Sequence, residues 1–220
     1  MARPSNNIDQ RLLDAGIALL PQLGCRGLSA RKLAEAAGVN LGMFHYHFGS
    51  REAFIRTLLE QVYEAMFSRL TMQLEVDEDG AGVASVELLR RALQVLAFFA
   101  RDRRALLGRI LVDALGGEAV AAEFLRANVP RHIAVLARLI AQAQAERALV
   151  AVPLPQALGF LAGAVLAPVL AGGALASAGM LPAALGETLD GAVLSDAAIE
   201  QRIGFALRGL GVVDTKGDRP

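Results

Sequence analysis

The chain has 220 residues, a formal net charge of zero and a hydrophobic fraction of 54%, which excludes a disordered chain and suits one large domain or a small one joined to a medium one. The neutrality hides an asymmetry. Through Arg56 there are seven Lys/Arg against four Asp/Glu, and beyond it fifteen against eighteen, so the N-terminal part suits a polyanion and the remainder does not. A single cysteine, Cys25, excludes an intrachain disulfide and fits a reducing cytoplasm.

In chain order, Asn7 and Gln10 form a capping-box pattern, and Ile8, Leu12, Ala15, Leu19 and Leu23 recur at helical spacing up to Gly24. Asp14, Gly16, Pro21 and Gln22 interrupt Leu12–Leu23, so it does not read as a secretory signal. Ser29 caps a short second helix that Gly38 ends. Asn40 opens a third helix through about His47, Gly49 ends it, and Ser50 caps a fourth. The fourth carries Phe54, Leu58, Val62, Met66 and Leu70 on one face. Glu75–Ser85 is acidic, contains Gly and reads as a loop. Helical spacing resumes with Val86, Leu89, Leu93 and Leu96, then Leu106, Ile110 and Leu111. After Gly116-Gly117 a longer helix carries Phe124, Leu125, Ile133, Leu136 and Ile140. Pro153 and Pro155 mark the next boundary. An uncharged helix from about Gln156 follows, punctuated further on by Gly172, Gly173, Gly179 and Pro182. A last helix runs from about Asp196 to Leu210, before a polar tail from Asp214. No strand or internal repeat is expected, so the fold class is all-α.

The chemistry-bearing stretch is Leu28–Phe54, LSARKLAEAAGVNLGMFHYHFGSREAF. Two short helices meet at the tight turn Ala37-Gly38-Val39, where Gly38 allows a positive φ and Ala34 allows a close crossing. Such a pair projects its second helix toward a major groove. Gly42 keeps the start of that helix low. Helices this short need a third for support, which the first helix and the start of the fourth supply.

This stretch closely resembles the TetR family of transcriptional regulators. The resemblance rests on Gly27-Leu28-Ser29-Ala30-Arg31-Lys32-Leu33-Ala34, on Ala37-Gly38-Val39, and on Phe44-His45-Tyr46-His47-Phe48-Gly49-Ser50-Arg51, and it covers about Asn7 to Leu59. It implies an N-terminal three-helix helix-turn-helix DNA-binding domain over residues 1–52 and a helical effector-binding and dimerisation domain over 53–220. It also implies a ligand-responsive regulator, a repressor released from a palindromic operator by a small effector; the apolar balance of the chain points to a hydrophobic one, although an Ala/Leu-rich helical core gives the same composition. The expected DNA-binding residues are Ser29, Arg31, Lys32, Asn40, Leu41, Gly42, Met43, His45, Tyr46, His47 and Arg51. Arg31 suits bidentate contact with guanine. Asn40, Leu41, Met43 and Tyr46 are set toward base edges or thymine methyls, while Ser29, His47 and Arg51 are set toward phosphates. His45 stands where the family usually has a phosphate-binding Tyr. Leu41 and Met43 replace polar residues common there, and apolar readers favour thymine-rich steps. The competing reading of Arg31 and Lys32 is solvated helix charge. Phe44 and Phe48 read as core, and His45 and His47 do not share a helix face, so no metal site is expected.

Beyond the motif, no Ser-His-Asp, Cys-His or metal-spaced cluster is present, so neither an enzyme nor a cofactor is expected. A palindrome reader works as a two-fold dimer. The resemblance sets its interface on the uncharged helix (Leu158, Leu161, Val165, Val169) and the last helix (Ile199, Ile203, Leu207). Arg109, Asp113, Asn128, His132 and Gln142 are the polar residues expected to anchor an effector in an otherwise apolar pocket. Two other classes remain. The stretch from Ala157 to Ala178 is long enough to span a bilayer, which would make a membrane-anchored helical regulator; no membrane association is expected. The third reading is a helical interaction protein whose helix-turn-helix only packs.

Overall fold

The computed structural model describes residues 8–75, 83–171, 182, 188 and 190–212. These form nine helices: α1 (Ile8–Gly27), α2 (Ala30–Ala36), α3 (Leu41–Phe48), α4 (Arg51–Glu75), α5 (Ser85–Asp102), α6 (Arg104–Leu115), α7 (Ala119–Ala145), α8 (Leu154–Leu161) and α9 (Asp196–Gly209). A π-helical turn, Ala162–Leu166, continues α8, and another, Asp190–Leu194, precedes α9. Among the described residues the only extended pairing is a single bridge between Leu149 and Gly211. The protein is all-α. The Asn7 cap, most of the Glu75–Ser85 loop, the Gly172–Gly179 punctuation and the polar tail lie outside the described residues.

The chain divides into two compact units. One comprises Met1–Ala65 with Ala105–Val129, the other Met66–Arg104 with Pro130–Pro220. In the first, Leu12, Leu20, Leu28, Leu33, Phe44, Phe54 and Leu58 are fully buried and form the core. Gly16 lets α1 approach α4: a Cβ there would lie 2.8 Å from the Phe54 ring and 2.9 Å from Leu58. Gly24 does not simply end α1. Its φ of 67° kinks the chain, and one more turn follows to Gly27, which buries Cys25 and sets up the approach to α2.

In the second unit, α5, α8 and α9 pack together with both π turns around Leu89, Leu93, Leu96, Leu161, Val165, Val169, Ile199 and Ile203. Arg101 at the end of α5 pins the start of α9, donating to the Leu194 carbonyl at 3.2 Å and pairing with Asp196. Glu146 accepts from the backbone N–H of Ser85 at 3.1 Å, fixing the start of α5 against the end of α7.

Two apolar positions depart from the expected core. Leu111 is exposed because the inward stripe of α6 runs Leu106, Ile110, Asp113, at i, i+4 and i+7; the carboxylate of Asp113 fills the slot. Ile133 likewise faces outward, while Leu136 and Ile140 face in.

Candidate nucleic-acid interface

The Ser29 hydroxyl accepts the Lys32 N–H at 3.3 Å and caps α2; the Asn40 carboxamide oxygen accepts the Met43 N–H at 3.0 Å and caps α3. Each cap satisfies a donor that a short helix would otherwise leave unmet. Between them Gly38 adopts φ 63°, the left-handed conformation expected of this turn. Leu33 and Ala34 on α2 and Phe44 on α3 point inward. The Phe44 ring lies 5.4 Å from Phe54 and 5.8 Å from Phe48, and Phe48 stands edge-on to Phe54 at 4.9 Å. This aromatic cluster fixes the pitch of α3 on the start of α4.

With that face committed, the opposite one is open. Arg31, Lys32, Asn40, Gly42, His45 and His47 are exposed, Leu41 is 43% exposed, and Tyr46, at 81%, stands almost clear of the protein. Met43 is half-buried between the two faces. The tethers on these side chains are weak. Lys32 Nζ donates to the Gly27 carbonyl at 3.3 Å. His45 Nδ1 lies 3.1 Å from the Gly49 carbonyl at the end of α3, so one ring nitrogen is oriented by the helix terminus. Tyr46 and His47 meet edge-to-face at 5.3 Å.

Arg51 is placed differently from the rest. It is half-buried, donates to the Cys25 carbonyl at 2.6 Å and pairs with Glu52 at 2.8 Å. The Cys25 N–H is in turn held by the Asp113 carboxylate at 2.7 Å, and Arg109 donates to the other oxygen of that carboxylate at 3.0 Å. The Cys25 residue is therefore gripped at both ends, by α6 and by the start of α4. Its thiol is pushed up to about 12, first by burial and then by the Asp113 carboxylate, so it is held as an inert thiol rather than a reactive thiolate. Arg26 adds a second tie, to the Gly116 carbonyl at 3.0 Å and to Glu118 at 3.3 Å.

One bracing residue has no signal in the linear pattern. Arg11 on α1 donates to the carbonyls of Ala37 at 2.6 Å and Gly38 at 3.2 Å, holding the turn between α2 and α3. Its partners are 26 and 27 residues away.

The five polar residues expected to anchor an effector are largely engaged within the chain. Arg109 and Asp113 bind each other, and Asp113 also holds the Cys25 N–H. Asn128, buried, donates to the Phe124 carbonyl at 3.1 Å, and its own carbonyl accepts the Tyr63 hydroxyl at 2.7 Å. His132 is half-buried, and burial pushes its imidazole pKa down. Gln142 is exposed. Among the described residues no three of His, Cys, Asp or Glu come together as a metal set.

The apolar residues expected at a dimer interface lie inside the protomer. Leu161, Val165, Val169, Ile199, Ile203 and Leu207 are buried and Leu158 is half-buried. The same two helices expose Phe160, at 44%, and Phe205, at 55%. A Cβ added at Gly209 would meet the Phe160 ring at 3.4 Å, so Phe160 lies against the end of α9.

Fold and site define an all-helical protein bearing an N-terminal helix-turn-helix whose α2 and α3 leave one face open. Residues 12–58 match the family model of bacterial regulatory proteins, tetR family. The HTH-type transcriptional repressor NemR of Escherichia coli (strain K12) is 38% identical over 69 residues, which cover 31% of this chain and 35% of NemR. The chain is thus matched over about a third of that relative's length. The whole fold is shared with solved structures. A transcriptional regulator from Rhodococcus sp. Rha1 is 24% identical with a TM-score of 0.59, covering 93% of this chain and 98% of its own. Salmonella enterica GusR is 19% identical with a TM-score of 0.63, covering 94% and 97%.

Proposed function

We propose that the protein is a dimeric, ligand-responsive transcriptional repressor that reads a palindromic operator through α2 and α3. The observation that carries this reading is the reading face itself: Arg31, Lys32, Asn40, Leu41, Tyr46 and His47 stand exposed on two capped helices whose other faces are locked by Leu33, Ala34 and Phe44. Exposed cations supply phosphate attraction. Arg31 supplies a bidentate reader for guanine, and Leu41 with Tyr46 supplies apolar contact for thymine methyls. Ser29 and His47 serve phosphates, and Gly42 keeps the helix close to the groove. Arg51 acts by fixing the start of α4 rather than by touching DNA, since its guanidinium is engaged by Cys25 and Glu52.

In this reading residues 1–52 bind DNA, while residues 53–220 bind the effector and a second copy. The copies meet through α8 and α9, with Phe160 and Phe205 in contact and Leu161, Val165, Ile199 and Ile203 forming the layer behind. The stretch Leu154–Ala171 is long and apolar enough to cross a membrane by length and composition. Here one face of it, at Ala157, Leu161, Val165 and Val169, is packed in the protomer, and a second copy covers the other. The protein then works in the cytoplasm without a lipid anchor; recovery only in detergent would favour the membrane-anchored reading instead.

Selection from a pool of random duplex DNA at two salt concentrations tests the function. A palindromic sequence is expected to emerge, its affinity falling steeply with salt. Arg31→Ala is expected to cost about 1–3 kcal/mol and to relax the base preference at one position of each half-site. Sequence-blind binding that Arg31→Ala leaves unchanged would overturn the proposal.

A further inference from the structure

His45 is exposed on α3 and shares a face with Leu41 and Gly42, four and three residues earlier. Those two belong to the first turn of α3, and a helix set in a major groove reads base edges from its N-terminal turn. His45 stands one turn further along, where a side chain meets the sugar-phosphate backbone instead. Its ring is not free to turn. It lies edge-on to the buried Phe44 at 5.5 Å, and its Nδ1 is 3.1 Å from the Gly49 carbonyl.

That second contact decides where the ring carries its proton. A carbonyl only accepts, so Nδ1 must be protonated to make the bond. A neutral imidazole has a single N–H. With that proton at Nδ1, Nε2 is a bare lone pair, which a phosphate oxygen repels. The imidazolium has a proton on both nitrogens. It keeps the Gly49 bond and presents Nε2–H for a charge-assisted bond. A neutral ring reaches a phosphate only by moving its proton to Nε2 and giving up Gly49.

The charged groups on the surrounding elements do not supply a counter-charge. On α4, Glu52 is paired with Arg51. On α1, Asp14 accepts from Gln10, while Arg11 and Arg26 are turned to backbone carbonyls; Asp9 lies in its first turn. On α2, Arg31, Lys32 and Glu35 are exposed. Among the described residues the only polar partner of His45 is the Gly49 carbonyl. His47, on α3 itself, meets only the rings of Tyr46 and Phe48. Its neutral form can hold the proton on either nitrogen and donate without taking up another.

We propose that His45 bonds a DNA phosphate through Nε2 only as the imidazolium, so that operator binding takes up a proton at each half-site and weakens as pH rises from 6 to 8. The inference rests on the repressor reading above. Its sign follows from linkage: the complex holds more protons than the free protein, so affinity rises as pH falls.

The test uses the full chain and an operator selected at pH 6, with affinity measured at pH 6, 7 and 8 at constant ionic strength. Wild type is expected to bind about tenfold more weakly at pH 8 than at pH 6. His45→Gln is expected to be flat across the range, and within about threefold of wild type at pH 8, since its amide donates without titrating. His45→Lys is expected to be flat and tight, and His47→Asn to keep the wild-type fall. Calorimetry at pH 7 in phosphate and in Tris is expected to show net proton uptake on binding that His45→Gln abolishes. A wild type whose operator affinity is independent of pH, or a fall that survives in His45→Gln, would overturn the inference and leave the repressor reading standing. A fall lost in His47→Asn instead would assign the proton to the wrong histidine and overturn it equally. Absence of sequence-selective binding at both pH 6 and pH 8 would overturn the repressor reading and the inference with it.

Discussion

At the scale of single residues, Cys25 is where burial and charge act together. Its backbone is held by Asp113 and Arg51, and its thiol is pushed from 9.0 up to about 12. Below pH 9 the thiol is protonated in both the folded and the unfolded chain, so it adds no pH dependence. From 9 toward 12 the unfolded chain loses the proton and the folded one keeps it. The unfolded state then binds fewer protons and stability falls as pH rises. Urea unfolding of wild type and Cys25→Ala checks this: their difference in stability is expected to be constant from pH 6 to 8 and to move against the wild type at pH 10. Iodoacetamide is expected to label the native thiol at pH 8 far more slowly than the unfolded one.

At the scale of elements, the helix-turn-helix depends on local devices that each act within four residues. Ser29 and Asn40 cap their helices, each worth about 1 kcal/mol. Gly38 bears the turn at φ 63°, where a Cβ would also meet the Arg11 guanidinium at 3.0 Å. Gly38→Ala is therefore expected to destabilise the protein by about 1–2 kcal/mol, read from denaturant unfolding, and to weaken DNA binding because the turn sets α3 relative to α2. These devices are legible in the sequence because capping and turn chemistry are written at short separation along the chain. Arg11 is not legible there, since an Arg on α1 looks like any other until its acceptors, 26 and 27 residues away, are brought beside it. Asp113 is hidden for a related reason. A carboxylate in an amphipathic helix reads as outward-facing, and only the N–H of Cys25 gives it cause to turn in.

At the scale of the whole molecule, assembly turns on which face of α8 and α9 is left over after the protomer has packed. Phe160 and Phe205 remain exposed, and so large an apolar contribution is expected to be covered by a second copy. Phe160→Glu with Phe205→Glu is expected to yield a folded monomer in sedimentation velocity, with unchanged helical circular dichroism and at least tenfold weaker operator binding. A monomeric wild type, or a variant that stays dimeric, would send the interface elsewhere. Val165→Glu, by contrast, is expected to unfold the second unit, because Val165 is fully buried within the protomer.

The sequence by itself determined the helical class, the approximate positions of the first four helices and the residues that stand on the exposed face of α2 and α3. Periodic burial, caps and the Gly38 turn are short-range properties, and their residues need no distant partner to act. It also showed that α8 and α9 are apolar. It did not determine which side of them turns inward, because a helix without charge offers no polar face to orient it. Only tertiary structure decided that Leu161, Val165, Ile199 and Ile203 belong to the protomer's own core while Phe160 and Phe205 stay outside. It alone committed Arg51, Arg109 and Asp113 to the grip on Cys25. The physical reason for the grip is distance along the chain: a hydrogen bond joining residues 26 or 88 apart exists only once folding has brought its two ends together.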